Sequence, residues 1–73
     1  MIILEKVKIN TEYIKLDQFL KWAGICDTGA DSKDLILQQK VFLNGNIENQ
    51  RGKKLRPGDR IEVGGKIIEI EAE

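Results

Sequence analysis

The sequence predicts an α+β fold: two short helices and a small, mostly antiparallel β-sheet. Three observations lead there. Leu16, Phe19, Leu20 and Ala23 recur at i, i+3, i+4, i+7, and Ser32, Leu35, Ile36 and Gln39 repeat a helical face further on. Asn44-Gly45 separates two short strand-like runs and is the strongest short-range hairpin signal, because both turn residues need positive φ. Ile61, Val63, Ile68 and Ile70 alternate with charged residues across Gly64-Gly65, the pattern of a second hairpin with one wet face.

Taken in order, an N-terminal strand falls within residues 1–10. Ile3, Val7 and Ile9 mark one face and Lys6 and Lys8 the other, which suits an edge strand that resists sheet-to-sheet association. The first helix covers 16–23, with Asp17 in its first turn and Gly24 as its stop. Thr28-Gly29-Ala30-Asp31 has the form of a capping box, with Asp31 folding back on Thr28, and the second helix runs from there to about Gln39. On that helix Lys33 and Lys40 stand seven apart and share a direction. Val41-Phe42-Leu43 and Ile47 form the first hairpin. Residues 49–59 read as a connection closed by the turn Pro57-Gly58-Asp59, with Leu55 tucked beneath it. Residues 60–71 form the C-terminal hairpin.

Seventy-three residues make one domain, 1–73, of marginal stability, since a chain this short buries only about 60% of its unfolded surface. No apolar run approaches the roughly 20 residues of a membrane helix. Met1-Ile2-Ile3-Leu4 is too short for a signal-peptide core and Glu5 follows at once, so a cytoplasmic protein is expected. With no histidine and one cysteine, Cys/His zinc sites, Ser-His or Cys-His nucleophile pairs and internal disulfides are excluded. Cys26 reads as a small apolar filler after a helix. Asp31, Asp17 and Asp59 fit a cap, a helix dipole and a turn, and no pair of carboxylates can be set at catalytic separation. No catalytic residue, metal, cofactor or small-molecule substrate is expected.

The charge is zero overall, 12 Lys+Arg against 12 Asp+Glu, but it is unevenly spread. Residues 15–60 hold nine cations (Lys15, Lys21, Lys33, Lys40, Arg51, Lys53, Lys54, Arg56, Arg60) against six acids (Asp17, Asp27, Asp31, Asp34, Glu48, Asp59). Beyond them Lys66 stands alone against Glu62, Glu69, Glu71 and Glu73. Gln50–Arg56 contains four cations and no acid, an electrostatic footprint for a polyanion.

Other features have plainer readings. Gly64-Gly65 resembles the end of a sulfur carrier, but eight residues follow it and continue the strand pattern. Arg51-Gly52-Lys53-Lys54 lacks the spacing of a nucleotide-binding loop. Trp22 lies about 110° from the centre of its helix's apolar face and is expected at the core edge, with base stacking as its functional alternative. Tyr13 offers the same alternative more weakly, and Phe42 is expected to pack against a helix.

The order of these pieces resembles the S4 RNA-binding domain, and among its members the small stand-alone bacterial S4-like proteins. The residues that carry the resemblance are Lys15-Leu16-Asp17-Gln18-Phe19-Leu20, Ser32-Lys33 with Leu35-Ile36, Val41-Phe42-Leu43-Asn44-Gly45, and Leu55-Arg56-Pro57-Gly58-Asp59-Arg60-Ile61. They span 15–63. The resemblance implies two helices packed antiparallel against the sheet, with the helices and the following loop facing RNA. It sets Lys15, Lys33, Lys53, Lys54 and Arg56 at basic positions of the family pattern. One departure is Gly29, where many members carry an arginine and the contact that it makes.

The expected function is binding of structured RNA, ribosomal RNA or a ribosome assembly intermediate, by a monomer. The expected surface comprises Lys15, Lys21, Lys33, Lys40, Arg51, Lys53, Lys54 and Arg56. Two alternatives stand beside it: an adaptor that offers the same basic face to an acidic protein, and an accessory subunit of an RNA-modifying enzyme. Ribonuclease-sensitive co-purification separates the first from RNA binding, and stable co-elution with an enzyme marks the second.

Overall fold

The computed structural model describes residues 3–73, the side chain of Ile3 excepted. Residues 1 and 2 of the expected first strand lie outside these. The elements are β1 (Ile3–Ile9), β2 (Ile14–Lys15), α1 (Leu16–Trp22), α2 (Gly29–Leu37), β3 (Val41–Leu43), β4 (Asn46–Ile47), β5 (Lys54–Leu55), β6 (Arg60–Val63) and β7 (Lys66–Ala72).

Both helices form where the apolar spacing puts them. Leu16, Phe19 and Leu20 of α1 are fully buried, and the helix stops at Trp22 with Ala23 as C-cap. α2 starts on Thr28, whose Oγ1 accepts from the Asp31 N–H at 3.1 Å. That is one half of the expected box. No return bond from the Asp31 carboxylate forms among the described residues. Ser32 and Ile36 face inward, and the Ser32 hydroxyl donates to the Asp17 carbonyl of α1 at 3.2 Å, so a part-buried hydrogen bond ties the two helices.

α2 ends two residues earlier than its apolar spacing implied. Gln38 is the C-cap and Gln39 adopts φ +59°, outside the helix and exposed. Gln39 therefore does not share the inner face. Lys40 follows a left-handed residue, so the shared helical direction of Lys33 and Lys40 does not exist.

The sheet is larger than expected and mixed. Five strands run in the order β1-β7-β6-β3-β4, and β2 and β5 form a separate two-stranded sheet. Every pairing is antiparallel except β1 with β7, which is parallel. β1 is an edge strand, as its lysines implied. The turns at Asn44-Gly45 and Gly64-Gly65 have positive φ at both residues, 51° and 90°, then 60° and 80°. That twist matches antiparallel strands, and it explains why asparagine or glycine stands at all four positions.

One face of the large sheet carries Ile9, Ile61, Val63, Ile68 and Ile70 against Phe19, Leu20 and Ile36 of the helices. Cys26 fills the same core, as a small apolar side chain should. Leu55 is fully buried. Each such large side chain contributes about 1.5–3 kcal/mol by leaving water. Leu55 thus anchors a loop that would otherwise be polar and free.

Candidate nucleic-acid interface

The first turn of any helix leaves backbone N–H groups without partners. In α1 the N-cap is Lys15, whose side chain makes no capping bond. The partners come from the distant basic loop. The Leu16 N–H donates to the Lys53 carbonyl at 2.9 Å and the Asp17 N–H to the Arg51 carbonyl at 3.1 Å. β2 and β5 complete the join, with Ile14 opposite Leu55 and Lys15 opposite Lys54. Backbone bonding at Arg51 and Lys53, with the strand pair at Lys54 and Leu55, therefore fixes the loop against the start of α1.

The consequence is electrostatic. Lys15 and Lys54 stand directly opposite across the strand pair, a placement that is unfavourable for like charges. Arg51 and Lys53 lie beside them through their carbonyl bonds to α1. The Lys54 ammonium rests 4.8 Å from the centroid of the Tyr13 ring, a contact of about 0.5–1 kcal/mol at an exposed site. Lys15, Arg51, Lys53, Lys54 and Arg56 are all exposed. Among the described residues, the three ion pairs are Lys6–Glu71, Arg60–Glu69 and Lys66–Glu5, and none includes a loop cation.

The other expected site residues are less closely joined. Lys33 follows Ser32, the residue that ties α2 to Asp17, and is exposed. Asp31 and Asp34 flank it in sequence, yet they line a recess with Leu35 and Gln38 on another side of α2. By helical geometry Lys33 stands roughly 160° from Asp31. Lys21 is exposed in the last turn of α1, where a cation suits the carbonyl end of the helix. Lys40 lies at the entry to β3, and no hydrogen bond, ion pair or strand pairing joins it to the 51–56 loop among the described residues.

Trp22 is 65% exposed rather than set into the core edge. Its indole N–H donates to the Lys8 carbonyl of β1 at 3.1 Å. Trp22 and Tyr13 both line an open cleft between α1 and the β1–β2 connection, with Lys15 and Gln18 on the same wall. Among the described residues no group of three or more Cys, Asp or Glu side chains is placed to hold a metal ion. No helix among them is long and apolar enough to cross a membrane.

The sequence pattern of the S4 domain matches residues 7–71. The chain belongs to the S4 domain family. It is also similar to a protein of Bacillus subtilis (strain 168) described as a probable ribosome maturation protein, RlbA. The two are 39% identical over 59 residues, which cover 81% of this chain and 83% of that protein.

In this S4 domain the Asn-Gly and Pro-Gly-Asp segments interlock. The Asn44 carboxamide oxygen accepts from the Arg60 N–H at 3.0 Å, and its amide donates to Asp59 Oδ1 at 3.3 Å. Asp59 Oδ2 accepts from the Arg56 N–H at 2.9 Å. The Gly58 N–H donates to the Ile70 carbonyl, and the Ile70 N–H donates to the Asp59 carbonyl. Arg56, the last cation of the loop, is thus positioned through its backbone by a turn docked on β7. Sequence reasoning found both segments as turns. It missed that they hold each other, because side-chain bonds between turns fifteen residues apart leave no local pattern.

Proposed function

We propose that this chain is a non-catalytic RNA-binding protein that recognises structured RNA, with ribosomal RNA or a ribosome assembly intermediate as its target. It acts as a cytoplasmic monomer, with residues 1–73 as one domain. Lys15, Arg51, Lys53, Lys54 and Arg56 form the centre of its RNA-facing surface, Lys33 extends it onto α2, and Lys21 and Lys40 lie at its margins.

The observation that carries this reading is the β2–β5 pair. It holds an acid-free basic loop against α1 and sets Lys15 opposite Lys54. Placing like charges together costs stability, and an anion between them offsets that cost. A phosphate backbone supplies such anions at regular spacing. Recognition then rests on backbone shape more than on base sequence. Arg51 and Arg56 offer forked pairs to phosphate oxygens, while the lysines act as mobile point charges. Membership of the S4 domain family supports RNA as the polyanion. The description of the Bacillus relative as a ribosome maturation protein supports a ribosomal target.

Filter binding at one salt concentration tests this, with a folded RNA and a duplex DNA of equal length. Tighter binding of the RNA is expected. Equal affinity for the two would overturn shape recognition of RNA.

A further inference from the structure

Trp22 poses a physical question that phosphate binding does not answer. A tryptophan left 65% exposed forgoes most of the burial that such a ring offers. Its orientation is nevertheless fixed, because its N–H is committed to the Lys8 carbonyl at 3.1 Å. The ring borders a cleft of about 730 Å³ whose wall also includes Tyr13, Ile14, Lys15 and Gln18.

We propose that this cleft takes one unpaired nucleobase of the bound RNA, stacked on Trp22; the inference rests on the RNA-binding reading above. Four observations carry it. First, the indole is held at its nitrogen, so it offers a π-face with little ordering left to lose on binding. Second, because that N–H is already used, Trp22 stacks rather than reads an edge, and stacking tolerates any base. Third, Gln18 lies one turn earlier on the same helix face and lines the cleft, so its carboxamide offers a donor and an acceptor to a base edge. Fourth, the charges suit a neutral base flanked by phosphates. Glu12 on the cleft wall disfavours an anion inside. Lys15 on the same wall stands opposite Lys54, where phosphates on either side of the base would lie.

Trp22 is the one tryptophan of the chain, so its emission reports on this site alone. The test titrates the full chain with an RNA hairpin that carries one bulged adenosine, and with the same hairpin carrying an abasic nucleotide there. The bulged hairpin is expected to quench Trp22 emission. The abasic hairpin should bind about 5- to 150-fold more weakly, with no comparable quenching and an unchanged salt dependence. Trp22→Ala should abolish the difference between the hairpins, and Trp22→Phe, which keeps a ring, should preserve part of it. The wild-type comparison stands even where Trp22→Ala folds poorly. Equal binding of both hairpins without quenching would overturn the stacking and leave RNA binding intact. Failure of both hairpins to bind would overturn the RNA reading, and the stacking with it.

Discussion

The strands β1, β6 and β7 and the 50–56 loop with α1 carry the same kinds of charge in opposite arrangements. On the strands three of the four cations, all but Lys8, make an ion pair among the described residues. Lys6 meets Glu71 at 3.3 Å, Arg60 meets Glu69 at 3.0 Å and Lys66 meets Glu5 at 3.2 Å. On the loop side the backbone brings cations together, Lys15 opposite Lys54, with Arg51 and Lys53 bonded through their carbonyls to α1. The acidic C-terminal stretch thus neutralises the sheet and leaves the loop's positive field uncompensated. A chain of zero net charge leaves its loop cations exposed and without ion pairs because its topology, not its composition, decides which charges meet.

The widest way to break this contrast is to empty the loop. Replacing Lys53, Lys54 and Arg56 together with Ala should lower affinity for every RNA by on the order of a hundredfold, taking each lost charge-assisted contact at about 1 kcal/mol. Circular dichroism and the melting temperature should stay near wild type, because exposed charges add little to stability. Normal folding with undiminished RNA binding would make the loop solvated charge and favour the adaptor alternative.

Asp59→Ala attacks the lock rather than the charges. It removes the acceptor for the Arg56 N–H and for the Asn44 amide, and should destabilise the fold by about 1–3 kcal/mol in denaturant titration. The remaining folded protein should bind RNA more weakly through a misplaced Arg56, although no cation is removed. Wild-type affinity in the destabilised variant would show that the turn does not position the loop.

The sharpest effect is also the smallest. Lys15→Gln relieves the like-charge pair with Lys54 and should raise stability by about 0.2–0.5 kcal/mol in free protein. The same change should weaken RNA binding. A loss of both stability and affinity would mean that Lys15 is held by packing rather than by function.

Much of this was legible in the residues. The helices follow from Leu16, Phe19 and Leu20 and from Ser32 and Ile36. The hairpins follow from Asn44-Gly45 and Gly64-Gly65, and the basic loop from its acid-free composition. The parallel β1–β7 pairing was not legible, since alternation along a strand does not state the direction of its neighbour. β2 and β5 are two residues each, too short for any period, and the α1 backbone donors beside them, Leu16 and Asp17, bond to the Lys53 and Arg51 carbonyls far along the chain, which folding alone brings near. The end of α2 was misjudged because Gln39 turns left-handed without a glycine to mark it, which removed Lys40 from the helix. Trp22 was misjudged because helical angle alone cannot say whether a neighbouring element covers the ring. β1 supplies a carbonyl to its nitrogen but leaves most of it open. Trp22→Ala therefore costs about 1 kcal/mol, the scale of one hydrogen bond, rather than that of a buried ring.

On the proposed function, unmatched loop cations rather than matched sheet cations bind the phosphates. The measurement is the slope of log K against log salt for one structured RNA, in three proteins: wild type, the Lys53/Lys54/Arg56→Ala variant, and a variant with Lys6, Arg60 and Lys66 replaced by Ala. Five or so contacts give wild type a slope of roughly −3 to −5. The loop variant should flatten it by roughly 2–3 and the sheet variant should leave it unchanged. An unchanged slope in the loop variant, or an equal flattening in both, would contradict the account.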